Sequence, residues 1–332
     1  MQPFRPNEPA YAGVGVTFCR VPLVLDADGL AGADVAILGA PFDDGVSNRP
    51  GARFGPRAIR AADDLGWPPK RPHMDLGIDP FASLKVVDCG DIDAAPADLA
   101  TSHERLRAAV AGILAAGAMP LVLGGDHSLS FPTLQALAAA HGPDGYAVIH
   151  FDTHTDTGAD VLGVANSHGT PFYRGVTEGV LDGSHIFQIG LRGAWPGPTE
   201  FDWMRKHGFR WRTMDECVDR GLDEVIYEAI DWANSTAPRV YLTIDVDVLD
   251  PAYAPGTGTP EPGGFTTREL LHAIRKIARG VDLCAMDVVE VAPPYDVADI
   301  TALAANRIVL ETISAIALRR GGQRPRPERS EI

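Results

Sequence analysis

The sequence predicts an α/β fold built on a parallel sheet with helices covering both faces. Two observations carry that expectation. The first is a series of short, largely apolar runs, the mark of strands buried on both sides: Val35–Gly39, Leu84–Val87, Pro120–Leu123, Ala147–Phe151, Ile186–Ile189, Val240–Ile244 and Cys284–Val289. The second is what lies between them. Amphipathic stretches at Ser102–Ala116, Ser130–Ala140, Leu222–Ala233, Thr267–Ile277 and Thr301–Leu318 alternate with the runs, and strand–helix alternation argues for a parallel sheet. The uncharged segment from Ala108 to Gly125 is long enough to raise a membrane span. However, it contains Gly117 and Pro120 and closes in a strand-like run, so a helix, a turn and a buried strand describe it better. No internal repeat or linker interrupts the pattern. One domain is expected over 15–318, after an arm at 1–14 and before a charged, Pro- and Gly-containing tail at 319–332 for which disorder is expected.

Composition narrows the class of function. The 332 residues are 45% hydrophobic and 22% charged, ordinary for a globular chain with one large core. A formal net charge of −15 argues against a nucleic-acid partner, which needs Lys/Arg patches, and favours small cations. Cys19, Cys89, Cys217 and Cys284 are widely spaced and form no CxxC pair, so buried thiols are expected rather than a zinc knuckle or a disulfide framework. The N-terminus has no signal-peptide pattern. A soluble, cytoplasmic protein without a membrane role is expected.

Ligands of open parallel sheets bind beyond the carboxyl ends of the strands, so residues with chemistry should stand where the apolar runs stop. They do: the third run ends in Gly124-Gly125-Asp126-His127-Ser128, the fourth in Asp152-Thr153-His154-Thr155-Asp156, the sixth in Asp245-Val246-Asp247 and the seventh in Glu290. Residues two apart on a strand project to one side. Asp152 with His154, and Asp245 with Asp247, therefore point into one pocket, with Asp156 on the turn beyond and His127 nearby. So many carboxylates repel one another unless cations lie among them. Two divalent metals meet that need, and carboxylates with some imidazole suit Mn²⁺ better than Zn²⁺. Taken singly, each motif has a plainer reading: a surface HxD, a DVD turn, a satisfied core histidine. It is their joint placement that points to metal. Asp126 is expected behind the ligands, orienting one, and Asp250 is expected to shape the Gly- and Pro-rich loop at 251–264, a rigid pocket rim. His168 lies in a turn-like segment. Glu290, after a buried strand, needs a partner, either a cationic substrate group or an arginine.

These motifs together resemble the ureohydrolases, the arginase/agmatinase family. The resemblance rests on GGDHS (124–128), DTHTD (152–156), SHGTPF (167–172), TIDVDVLDPAYAPGTGTPEPGG (243–264) and EVAPPYD (290–296), while GAPFDDGVSNRPGARFGPRAIR (39–60) looks like the agmatinase branch. It spans about Gly15 to Leu318. The resemblance implies a three-layer α/β/α sandwich around a mainly parallel sheet of about eight strands. It also implies two Mn²⁺ per subunit, with Ni²⁺ as the alternative. His127, Asp152, Asp156 and Asp245 would hold one ion and Asp152, His154, Asp245 and Asp247 the other, so that Asp152 and Asp245 bridge. A homo-oligomer, trimer or hexamer, is implied as well. Thr153 stands where the family usually has Ala, and Ala292 where it often has Ser.

The implied chemistry is hydrolysis of a C–N bond in a linear amidine. Two metals activate a water, which attacks the guanidino carbon to release urea and a primary amine. Asp156 would move the proton to the leaving amine, Glu290 would orient the guanidinium and His168 would shuttle protons near the pocket mouth. Arginase itself is not expected, because Thr157–Asn166 lacks the Asn- and Ser-bearing segment that reads an α-amino acid. Agmatine is the first expectation. Guanidinobutyrate, guanidinopropionate, free guanidine or a larger guanidino natural product are the alternatives, and a formimino hydrolase or a non-catalytic family member is more distant. A one-zinc deacetylase is disfavoured by the doubled ligand set. Trp195, in the 191–200 loop, is expected either over the substrate pocket or in a subunit interface.

Overall fold

The computed structural model describes residues 17–62 and 72–321. The expected arm at 1–14 and tail residues 322–332 lie outside the described residues. Eight strands, β1 (Val35–Ala40), β2 (Val86–Asp91), β3 (Met119–Gly124), β4 (Ala147–Phe151), β5 (Ile186–Leu191), β6 (Arg210–Thr213), β7 (Val240–Asp245) and β8 (Leu283–Val289), form one sheet in the order β2-β1-β3-β8-β7-β4-β5-β6. Every pairing is parallel. Alternate residues feed opposite faces: Val35 and Ile37 of β1 join one hydrophobic cluster, Ala36 and Leu38 another. Burial on both faces is what made the runs apolar.

The five expected helices form at Leu99–Ala115, Ser130–His141, Leu222–Thr236, Thr267–Gly280 and Ile300–Gly321. The segment 108–125 is the end of a helix, a turn and β3. The helix Ile300–Gly321 has the length and apolarity to cross a membrane, yet most of it is buried inside the fold, which makes it a core helix. It runs three residues into the expected tail. There Arg319 pairs with Asp282 at 2.8 Å and Arg320 with Asp34, holding the last turn. Of the expected buried thiols, Cys19, Cys217 and Cys284 are buried and Cys89 is half-buried.

Two strands depart from the sequence reading. β6 was not anticipated, because Arg210-Trp211-Arg212-Thr213 carries no apolar run. As the outer strand it pairs only with β5 and has no need of two apolar faces. β2 starts later and extends to Asp91. Its buried Asp88 is held by Arg60 through two bonds of 2.9 Å, and such a fork of charge-assisted bonds makes an interior carboxylate tolerable.

The sheet order explains where function sits. β7 and β8, last in sequence, insert between β3 and β4. Thus β3, β8, β7 and β4, the four strands ending in polar clusters, are consecutive at the centre. The turn after β3 fits there only with glycine: a Cβ on Gly125 would lie 2.3 Å from the Phe42 carbonyl oxygen and 2.5 Å from that of Ala40.

Candidate metal centre

His127 opens a short 3-10 turn after β3, Asp152 follows β4, Asp245 ends β7, Asp247 sits in the next 3-10 turn and Glu290 follows β8. The expected ligands come together. His127 Nδ1 lies 2.9 Å from Asp156 Oδ2, 3.1 Å from Asp152 Oδ2 and 3.3 Å from Asp245 Oδ2. His154 Nδ1 lies 3.1 Å from Asp247 Oδ2 and 3.4 Å from Asp152 Oδ1. Donor atoms within 4.8 Å of one another form two sets, His127, His150, Asp152 and Asp156, and then Asp152, His154 and Asp247. Asp152 belongs to both. Asp245, which the resemblance also makes a bridge, belongs to neither; it approaches the first through His127, while its Oδ1 accepts the Asp247 N–H at 2.8 Å.

The donor set fits a divalent pair. His127 Nδ1 is buried among three carboxylates yet has no hydrogen-bond partner, so its surroundings are those of a ligand atom rather than a hydrogen-bond donor. Charge points the same way. Burial and the charges of Asp247 and Asp152 push the Asp245 carboxyl well above the usual range. Burial and Asp152 push Asp247 up to about 6, against the pull of His154. On His154 burial opposes the charged ring, but Asp247 and Asp152 outweigh it and push it up to about 12. Without added cations the cluster holds its negative charge only by borrowing protons.

Glu290 and His168 form a second layer. Glu290 Oε1 accepts the His127 backbone N–H at 2.9 Å and faces His168 Nδ1 at 3.1 Å. Its Oε2 is buried without a partner, and no arginine pairs with it among the described residues. Burial opposes charge on His168, but Glu290 outweighs it and pushes the ring up to about 9. Ser47 holds the other nitrogen, His168 Nε2, through its backbone N–H at 3.1 Å and its hydroxyl at 2.8 Å. Asp126 does not touch a ligand side chain. It accepts the Ser128 and Gly45 N–H groups, shaping the turn that carries His127 and tying it to the loop of Ser47. Asp250 accepts the N–H groups of Ala252 and Gly263, as expected of a residue that shapes the loop.

Several residues escaped the sequence reading. His150 Nε2 lies 2.8 Å from Asp152 Oδ2, and its Nδ1 meets Gln188 Nε2 at 2.9 Å. It was hidden inside an apolar run, although the two-residue rule that pairs Asp152 with His154 also pairs it with His150. Thr259 approaches Asp247 Oδ2 at 3.3 Å. Arg192 braces the turn after β7 by donating to the carbonyls of Asp247, Val248 and Leu249.

A cavity of about 320 Å³ opens over the centre, with His154, Asp156, His168 and Asp245 in its wall. Trp195, 68% exposed, stands at the mouth with Asp160 and Glu200. No Lys or Arg lines it among the described residues.

The model of the arginase family matches residues 33–314. The mitochondrial agmatinase of Gallus gallus is 43% identical over 91% of this chain and 86% of its own. The guanidinobutyrase of Pseudomonas aeruginosa is 39% identical over 95% and 96%. The solved structure of proclavaminate amidinohydrolase from Streptomyces clavuligerus superposes with a TM-score of 0.82 at 38% identity, covering 93% of this chain and 99% of that one.

Proposed function

Because this chain belongs to the arginase family and is a hydrolase of guanidino C–N bonds, we propose that it hydrolyses agmatine to putrescine and urea at a pair of Mn²⁺ ions. The observation that carries the reading is Glu290: a buried carboxylate whose Oε2 has no partner beside a metal-type cluster suits a guanidinium cation. The distal end of the substrate is argued from the mouth. Asp160 and the half-buried Glu200 are there, and no Lys or Arg lines the wall among the described residues, which favours an amine terminus. A guanidino acid would bring its carboxylate against two others.

His127, Asp152, Asp156 and Asp245 would hold one ion and Asp152, His154, Asp245 and Asp247 the other. Bound there, the pair supplies Lewis-acid activation of water at neutral pH. The protein does the rest. Glu290 fixes the guanidinium, and positioning of this kind lowers the entropic barrier. Asp156 takes the proton that the attacking water gives up and returns it to the leaving nitrogen. His168, held by Glu290 and Ser47, exchanges protons between that nitrogen and the cavity. Water and the substrate cation leave as urea and a protonated primary amine.

The test is urea release by protein loaded separately with Mn²⁺ and Ni²⁺, against agmatine, guanidinobutyrate, guanidinopropionate, arginine and free guanidine. An Asp247→Ala variant serves as control. Agmatine should give the highest kcat/KM with Mn²⁺, and the variant should abolish turnover. Preference for either guanidino acid would refute the substrate assignment, and preference for Ni²⁺ the metal.

A further inference from the structure

Both ring nitrogens of His168 are engaged by the protein. Nδ1 faces Glu290 Oε1 at 3.1 Å, and Nε2 faces Ser47 twice, its backbone N–H at 3.1 Å and its hydroxyl at 2.8 Å. His168 is buried, whereas Ser47 is exposed and lines the cavity. The placement of hydrogens follows from donor capacity. A backbone N–H only donates, so Nε2 meets it with a lone pair, and the ring hydrogen sits on Nδ1, where the Glu290 carboxylate accepts it. Burial opposes a second proton on this ring, and Glu290 outweighs it enough to raise the ring to about 9. The amide hydrogen facing Nε2 works against Glu290. The ring is therefore able to take a proton at Nε2 and to lose it again.

Ser47 is held in place from both sides. Before it, the Gly45 carbonyl accepts the His168 N–H at 3.0 Å and the Ser167 hydroxyl at 2.8 Å, and the Gly45 N–H donates to Asp126 Oδ2 at 2.8 Å. After it, the Asn48 amide donates to the Gly258 carbonyl of the pocket rim at 3.0 Å. A hydroxyl has one proton to give and two lone pairs, so it can accept a proton on one side as it releases its own on the other. We propose that the Ser47 hydroxyl is the relay through which His168 exchanges protons with the cavity. The Nε2–H bond breaks as a bond from that proton to Ser47 Oγ forms, and the hydrogen already on Oγ passes to water in the cavity. The ring is left neutral and Ser47 unchanged, and proton uptake runs through the same bonds in reverse. The inference rests on the proton-exchange role given to His168 above.

The experiment measures single-turnover urea formation by full-length, Mn²⁺-loaded protein on whichever substrate of the panel is cleaved fastest, so that product release does not mask the step. Ser47→Ala keeps the amide and removes the hydroxyl. Its rate at saturating substrate should fall about 100-fold, the lower end of what acid–base groups contribute. The half-saturating substrate concentration should stay within about threefold, with Mn²⁺ content and thermal midpoint at wild-type values. Imidazole added at constant pH should restore part of the rate in Ser47→Ala, by exchanging protons with Nε2 in place of the hydroxyl, and leave wild type unchanged. Ser47→Thr, which keeps a hydroxyl, should turn over without rescue. A wild-type rate in Ser47→Ala overturns the relay. So does a loss confined to half-saturation, which marks a substrate contact, or a loss that neither imidazole nor threonine restores, which marks a disturbed loop. A wild type that releases no urea from any substrate of the panel is a different failure, since it overturns the hydrolytic reading itself.

Discussion

Replacing Glu290 by glutamine isolates the charge that the proposed reaction uses. The side chain is buried, and its Oε1 already accepts from the His127 N–H and faces His168. A glutamine of the same shape retains an acceptor there, so the fold and the turn of His127 should survive. What disappears is the negative charge behind the unpartnered Oε2. A guanidinium about 4 Å from a carboxylate gains roughly 4 kcal/mol at an effective dielectric of 20, and the neutral amide recovers part of that by hydrogen bonding. A net loss of about 2–4 kcal/mol corresponds to a fall in kcat/KM of roughly 30- to 1,000-fold. The assay is urea release on the best substrate of the panel, with Mn²⁺ content and the thermal midpoint measured alongside. Correctly folded, fully metallated Glu290→Gln within threefold of wild type would refute the argument that this carboxylate holds the guanidinium.

Two further outcomes test the scaffold. His103 is buried, with Nε2 2.9 Å from Ser128 Oγ, and desolvation brings it down to about 4 from an ordinary 6.5. The unfolded chain therefore takes up this proton first, so the contribution is present above about pH 6.5 and drains away as pH falls toward 4; it amounts to about 3 kcal/mol in full. Urea unfolding at pH 7 and pH 4.5 should show wild type losing more stability than His103→Gln, and equal losses would count against the neutral buried ring. Gly125→Ala would set a Cβ 2.3 Å from a backbone oxygen; overpacking of this kind costs about 1–3 kcal/mol. A lowered thermal midpoint and weaker Mn²⁺ binding are expected, because the displaced segment carries His127, and an unchanged midpoint would contradict the close approach.

Much of the site was legible because its physics is a contrast between neighbours in sequence. An apolar strand that stops at Asp152 or Asp245 marks the carboxyl edge of a sheet without any knowledge of the sheet's order. What stayed hidden depends on partners distant in sequence. Nothing in Arg210-Trp211-Arg212-Thr213 distinguishes an outer strand from a loop until β5 is beside it. Thr243 reads as one more β-branched strand residue until β8 brings Asp287 next to it and His127 arrives from β3. Ser47, far upstream, meets His168 only after the loops fold over the sheet edge.

Backbone conformation is the part that no residue pattern expressed. Asp156 and Glu290 both have positive φ, 52° and 66°, where a side chain other than glycine costs about 1–3 kcal/mol and persists only if its surroundings enforce it. Both are enforced. The Asp156 carbonyl accepts the Phe172 N–H at 3.2 Å, and the Glu290 N–H donates to the Gly125 carbonyl at 2.9 Å. Glycine would relieve the strain at either position but would remove the carboxylate, so the cost accompanies the chemistry. Among the carboxylates of the site, the strained ones are Asp156 and Glu290, to which the proposed reaction gives proton transfer and substrate orientation, whereas Asp152, Asp245 and Asp247, which it gives metal binding alone, continue their strands or the turns just beyond without positive φ. Ligands can thus be supplied by ordinary strand ends. Carboxylates that must face the substrate need the chain to turn sharply, and the central sheet is rigid enough to impose that turn.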